Sequence, residues 1–408
     1  MHKKKRAQVT VYIILGIIIL FSAILLFYFR GTTEKEIGMQ EIVRAQKIPK
    51  EARPITNYVT TQLDDAAKKG LLFIGMQGGY IYQSQGGPIP DPIEEDNDFI
   101  YYKDNKVFYN IHKQNNNLFN YYFYKPKYYP WYYYPYPHFP KSGEKGSFGG
   151  FFGTSNLPPL NGSSPSIQFQ LMEFITNYLQ ENINLTIFDK QGFEIDEGKI
   201  NVSVIIGEND VIAFLEYPLG IKKTITNTIT NVSYFYTNPQ IRLKKVYNFT
   251  DFIINKDTTD ILFNITNASN NDISVGKIEN ILSSINIYDD IIIVKDNNSM
   301  LYAEPYTFQF ARENRYPALH WISTPSITLN FVHAVLTEEH IKNQINPKAD
   351  DPDEDVIDFT YEPDLPYHVK QSDFDNGYVN IKVYAREKDN LQYYDWQELK
   401  IDVIRESE

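Results

Sequence analysis

Residues 9–29, VTVYIILGIIILFSAILLFYF, are 21 consecutive positions without a charge. At about 1.5 Å rise per residue they make roughly 31 Å of helix, close to the hydrocarbon thickness of a bilayer, which predicts one membrane-spanning helix. No second long apolar run follows. Ile55, Val59, Leu63, Ala66, Ala67 and Leu71 recur at helical spacing and Gly75 with Gly78-Gly79 supplies the stop, so an amphipathic helix is predicted. Ser164 as N-cap and Pro165 at the first helical position open a second helix, with Ile167, Leu171, Phe174, Ile175, Tyr178 and Leu179 on one face. Alternation then takes over. Ile200, Val202, Val204 and Ile206, the turn GEND, and Val211, Ala213, Leu215 and Tyr217 read as a hairpin. The pattern predicts a further helix near Ile273–Ile287, and a second hairpin of Asp289–Asp296 with Ser299–Phe310 closed at Asn297-Asn298. Near the C-terminus Val379, Ile381 and Val383 alternate with Tyr378, Asn380, Lys382 and Tyr384, and ELKIDVI repeats the period, which predicts two strands.

Helices and antiparallel hairpins in mixed order predict an α+β ectodomain, with an all-β region at its C-terminal end. Five segments follow: a basic tail and span (1–30), a stalk and amphipathic helix (31–79), a Tyr/Pro/Gly-rich irregular segment (80–154), an α+β domain (155–313) and a terminal β domain (314–408). The irregular segment carries twelve aromatic residues among the twenty from Asn120 to Phe139, and its prolines at 126, 130, 135 and 137 forbid a regular helix. Its rings either lie down on the protein's own core or offer a stacking surface for sugars, with Tyr128, Tyr129, Trp131 and Tyr132 as the platform.

Charge sets the orientation. Lys3, Lys4, Lys5 and Arg6 precede the apolar run, so the positive-inside bias places the N-terminus in the cytoplasm and the rest outside the cell, as a single-pass protein of the cell membrane. Eight N-x-[ST] triplets, headed by Asn161, Asn184, Asn201, Asn231, Asn248, Asn264, Asn267 and Asn297, all lie beyond the run and agree with that placement. A net charge of −12 excludes binding of nucleic acid over the general surface. The absence of cysteine excludes disulfide scaffolds, thiolate metal sites and cysteine nucleophiles.

The string KKKRAQVTVYIILG resembles the class III signal peptides of archaeal pilin-like proteins, and the resemblance implies cleavage between Ala7 and Gln8 with the apolar helix retained. A plain uncleaved signal anchor is the other reading. The stretch ARPITNYVTTQLDDAAKKGLLFIGMQGGYIY resembles segments of uncharacterised anchored proteins of small-genome archaea. NRYPALHWI from Asn314, ADDPDEDVIDFTYEP from Ala349 and the strands from Asp375 resemble a cadherin-like, Ig-like β-sandwich, which implies that fold for the last 95 or so residues. Glu354 stands where that family usually has Gly.

Catalytic signals are few. No Gly-x-Ser-x-Gly elbow occurs, and the seven histidines never fall at the spacing of a His-Glu-x-x-His zinc site. Asp351, Asp353 and Asp355 alternate, which in an extended loop points three carboxylates one way, and calcium draws 6–8 hard oxygen ligands from such loops. The competing reading is a solvated acidic loop. Together these features predict a non-enzymatic surface protein with an adhesion or surface-assembly role. Its expected partners are the lipid bilayer and other cell-surface proteins or glycans, with no cofactor, calcium entering only if the acidic loop binds it. The alternatives are a pilin-like filament subunit and an envelope enzyme acting on polysaccharide.

Overall fold

The structure is a computed structural model and describes residues 48–94, 98–113, 153–282, 288–320, 322, 328–330 and 335–404. The predicted membrane span, the Ala7–Gln8 bond and the aromatic platform Tyr128, Tyr129, Trp131 and Tyr132 lie outside the described residues. Among the described residues no helix is long and apolar enough to cross a membrane. Numbered along the chain, the helices are α1 (Arg53–Met76), α2 (Ile167–Asn182), α3 (Leu243–Asp257), α4 (Glu338–Gln344) and α5 (Gln371–Asn376). The first strands are β1 (Phe99–Tyr102), β2 (Asn105–Lys113), β3 (Gly153–Ser155), β4 (Phe193–Glu197), β5 (Asn201–Ile206), β6 (Val211–Lys223), β7 (Thr228–Thr237), β8 (Ile273–Leu282), β9 (Tyr288–Leu301) and β10 (Glu304–Arg312). The C-terminal region adds β11 (Ala318–Leu319), β12 (Thr328–Asn330), β13 (Val335–Leu336), β14 (Ala349–Asp350), β15 (Ile357–Glu362), β16 (Tyr367–His368), β17 (Tyr378–Glu387) and β18 (Tyr394–Ile404). The result is a mixed α/β protein, mostly sheet, as expected from the sequence.

Two compact units form. The first comprises Met1–Leu71, Gln83–Pro88 and Asn161–Leu243, and the second Leu72–Tyr82, Ile89–Leu160 and Lys244–Glu408. The division therefore departs from the linear segments read from the sequence, since residues 155–313 are shared between both units while 244–313 join the C-terminal strands.

In the first unit the helical period of α1 buries Ile55, Val59, Leu63 and Ala66, as the pattern predicts. Helix α2 begins later than predicted. Ser166 rather than Ser164 is the N-cap, its hydroxyl accepting from the Phe169 amide and donating to the Gly162 carbonyl. Gly70 lets α1 approach α2, because a Cβ there would stand 3.0 Å from Leu171 and Phe174. The long strand β6 carries β7 on one edge and shares the other between β5 and β4, with the predicted β5–β6 hairpin closed from Gly207 to Asp210. Thr237 at the end of β7 donates to Asp64 Oδ1 at 2.5 Å and fixes the sheet to α1.

The second unit is built on the sheet β1-β2-β10-β9-β8, with β3 also paired to β2. Two expectations are corrected here. The segment predicted as a helix near Ile273–Ile287 is strand β8 through Leu282, because the apolar run of β9 offers it a complete antiparallel ladder that local periodicity does not reveal. The β9–β10 turn lies at Tyr302-Ala303, both at positive φ, rather than at Asn297-Asn298. Those two asparagines sit instead in a bulge, where pairing jumps from Met300–Pro305 to Asp296–Tyr306 and Asp272 accepts from the Asn298 side chain. The C-terminal strands form the sheet β12-β18-β17-β15 and the short pairs β11–β14 and β13–β16. Val379, Ile381, Val383, Ala385, Leu399 and Ile401 point inward as the alternation predicts. The opening strand expected over Asn314–Ile322 contracts to the two residues of β11, because Asn314 and Arg315 are drawn into a polar cluster instead.

Backbone proximity supplies the first test. Gly75 in α1 sits against β10, and a Cβ there would meet the Thr307 carbonyl oxygen at 2.2 Å, whereas one at Gly276 in β8 would meet nothing within 4 Å. Gly75→Ala is expected to cost about 1–3 kcal/mol through overpacking, and Gly276→Ala to gain roughly 0.5 kcal/mol through lost chain freedom in the unfolded state. Urea midpoints of the two variants should move in opposite directions.

Candidate metal centre

The C-terminal turn of α3, the ends of β9 and β10, and the loop after β14 deliver charge to one buried place in the second unit. Arg312 ends β10 on the same inward parity as Tyr306, Phe308 and Phe310, so an arginine occupies an apolar face. It is 1% exposed, and Arg315 is 0% exposed. Arg312 reaches Asp257 Oδ1 at 2.9 Å, Asp290 Oδ2 at 2.6 Å and the Asp353 carbonyl at 3.0 Å. Arg315 holds Asp257 Oδ2 at 2.8 Å and Asp353 Oδ1 at 2.7 Å through Nη2, and its own amide donates to Asp353 Oδ2 at 2.7 Å. Lys277 of β8 adds a bond to the Asp353 carbonyl at 2.9 Å.

These contacts decide the fate of the acidic motif. Asp353 belongs to the arginines. Burial opposes its ionisation, but Arg315 and Arg312 outweigh burial and hold its carboxyl below the usual range. Asp353 is therefore corrected as a metal ligand, since both of its oxygens are already engaged. The tight turn that Glu354 put in question does form, with Glu354 itself at φ +71 and its amide bonded to the Asp351 carbonyl. Asp351 Oδ1 accepts from the amides of Asp353 and Asp355, which fixes the loop.

Asp351 and Asp355 meet Glu387, the last residue of β17. One carboxylate oxygen from each of the three lies within 4.8 Å of the others. That spacing is close to what one ion at the 2.3–2.6 Å typical of calcium requires of its ligands. Asp351 Oδ2 and Glu387 Oε1 are buried without a hydrogen-bond partner. Asn314 completes the group. Its amide nitrogen donates to Glu387 Oε2 at 2.8 Å, and its Oδ1 is likewise buried and unpartnered. Asn314, Asp355 and Glu387 line one small cleft with Lys388, Asp389 and Asn390, which leaves a route for water ligands.

The protonation balance fits the same picture. Burial, then the charges of Asp353 and Asp355, lifts Asp351 well above the carboxylate range. Burial, then Asp353, pushes Asp355 up to about 6. Burial, then Asp351, pushes Glu387 up to about 10. Three acids that resist ionisation together form a group that could hold one divalent cation in place of protons. All donors are hard oxygens, so the donor set suits calcium rather than a thiophilic or imidazole-bound metal.

Glu387 and Asn314 are the residues that reading the sequence missed. For Glu387 a signal existed: it follows Val379, Ile381, Val383 and Ala385 on the inward parity of β17, where a carboxylate is out of place. Asn314 carried none. The other acidic candidates beside the Asn376-Gly377 turn are occupied locally, with Asp373 accepting from Tyr367 and the Lys370 amide and Asp375 from Gln371. His340 bonds back to the N-cap Thr337 at the start of α4.

Arg315→Met leaves Asp257 and Asp353 buried with half their compensation gone and is expected to cost about 3–5 kcal/mol, measured as the urea midpoint. A pH series in chelator tests the carboxylates. The folded protein retains protons on Asp355 and Glu387 that the unfolded chain releases near 3.8 and 4.5. This contribution to stability is therefore complete on the acid side, and it falls as pH rises through about 6 and onward toward about 10. Between pH 5 and 9 the urea midpoint in chelator should decline, and Glu387→Gln should flatten the decline.

Compared with known protein families, curated proteins and solved structures, the chain finds no match.

Proposed function

We propose that this chain is a membrane-anchored cell-surface protein without catalytic activity, in which calcium completes a C-terminal β region that mediates adhesion or surface assembly. The observation that carries the reading is the meeting of the Asp351, Asp355 and Glu387 carboxylates within 4.8 Å in a region where Asp351 Oδ2, Glu387 Oε1 and Asn314 Oδ1 are buried without partners. An unpaired buried acceptor costs about 1–3 kcal/mol, more when charged, and one hard cation relieves all of these groups at once. The ion would bridge three segments that are remote in sequence: the exit of β10, the loop after β14 and the end of β17. Calcium would thus act as a structural clamp on the β region. The charge-free stretch of residues 9–29 behind its basic run and the sequons beyond it support a calcium-rich, extracellular setting.

Thermal unfolding of the full chain in detergent, with millimolar calcium and with chelator, tests the proposal. At a hundredfold excess over the dissociation constant the folded state should gain about 2.7 kcal/mol, which moves Tm by roughly 5–10 °C in a unit of this size. Asp351→Asn with Glu387→Gln should abolish the shift. Asp353→Ala should lower Tm in both conditions, because it breaks the arginine cluster and not the ion site. Equal melting with and without calcium sinks the reading.

A further inference from the structure

The first unit has an exposed apolar point that its own packing does not explain. Strands β6 and β7 are joined by Thr224-Ile225-Thr226-Asn227, with Lys223 paired to Thr228 at the last rung. Ile225 at the tip is 85% exposed and Ile229, one residue into β7, is 69% exposed. Hairpin tips usually carry Gly, Asn, Asp or Pro because these satisfy the turn and remain wet. Here two β-branched aliphatic residues project among threonines, with Lys222 and Lys223 at the base. The tip is held rather than loose: the Thr224 amide and hydroxyl both donate to the Gly192 carbonyl, at 2.9 and 3.0 Å.

Its position is informative. Pro49, Glu51 and Ala52, at the entry to α1, line one cleft with Lys223, Thr228 and Ile229. The point at which the chain enters this unit therefore lies beside the tip. Nineteen residues separate Pro49 from Phe29, the last position of the apolar stretch. The opposite end of β6, the Gly207–Asp210 turn, is twelve residues away along the strand, or roughly 40 Å. Lys222 and Lys223 stand at the base of the tip, Lys222 paired with Glu194 at 2.7 Å and Lys223 lining the cleft with Glu51, in a chain whose net charge is −12. Exposed Ile with flanking Lys is the composition that settles at a headgroup boundary, the apolar residues entering by about 5–10 Å while the ammonium groups meet phosphate.

We infer that the β6–β7 tip docks into the surface of the bilayer that anchors the chain, with Ile225 and Ile229 entering the headgroup–acyl boundary and Lys223 facing lipid phosphate, Lys222 being paired with Glu194 at 2.7 Å. The inference rests on the membrane-anchored reading above. It gives the first unit a second attachment to the membrane.

The chain has no cysteine, so each introduced one is a unique labelling site. Full-length protein carrying bimane at Ile225→Cys, Glu208→Cys or Ile18→Cys is reconstituted into vesicles of phosphatidylcholine containing phosphatidylglycerol, and quenching by nitroxide-bearing lipid is measured. The expected result is strong quenching at position 18, quenching at 225 severalfold above that at 208, and a blue shift at 225 that Ile229→Glu reduces. Quenching at 18 with 225 as aqueous as 208 overturns the docked tip while the anchor stands. A label at 225 shielded from aqueous iodide but untouched by lipid nitroxide also overturns it, and assigns the tip to a protein contact with the stalk or a second copy. Absence of quenching at 18 removes the anchor, and the docked tip with it.

Discussion

Two arginines buried to zero or near-zero exposure set the terms for the second unit. A guanidinium stripped of water is tolerable only where carboxylates and carbonyls replace its hydration, and Arg312 and Arg315 gather theirs from the end of α3, from β9 and from the loop after β14. That requirement ties together segments separated by tens of residues. It also explains why β10 can end in a charge on an apolar parity without breaking the core. The hydroxyl of Tyr109, donating to Asp289 at 2.6 Å, and the Asn314 amide, accepted by the other oxygen of Asp289, extend the same polar lining toward β2.

The cluster sorts an acidic loop into two roles. Asp353 binds the arginines and stays ionised, while Asp351 and Asp355, two residues to either side, come together with Glu387 and are pushed toward the protonated form. One loop thus holds a satisfied carboxylate and two that compete for protons. The difference is one of partners: both arginines pair with the Asp353 carboxylate, whereas burial and the neighbouring acids dominate at Asp351 and Asp355. A hard cation in the second compartment and two guanidinium groups in the first would be the same electrostatic solution, reached once with ligand and once with side chains.

The outer face of the C-terminal sheet follows a milder version of that logic. The Arg386 guanidinium lies 4.3 Å from the Tyr384 ring centre and 4.5 Å from that of Tyr394, and Lys382 stands over Trp396. Cross-strand rungs place these groups together: Arg386 opposite Tyr394 and Tyr384 opposite Trp396. Aromatic rings on a wet face are covered by the cations beside them, which keeps the face from being a bare apolar patch.

Local pattern determined what local forces control. The helical period of Ile55 to Leu71 became α1, the GEND turn became the β5–β6 hairpin, and the alternation after Tyr378 assigned each residue of β17 to its face. In each case the apolar side is written into a single element and needs no partner to be recognised. The sequence also drew attention to the acidic loop by its spacing, and with it to two of the three carboxylates that converge. Tertiary structure decided the rest. Ile273–Leu282 became a strand because β9 lay alongside it, and the β9–β10 turn moved to Tyr302-Ala303 because a bulge at the two asparagines allowed a longer ladder. Asp353 was exchanged for Glu387 and Asn314 because arginines 38 and more positions away in the chain claimed the first and left the others unpaired. Which carboxylate meets which charge depends on distances of a few ångström between segments remote in sequence, and spacing along the chain carries no record of those distances.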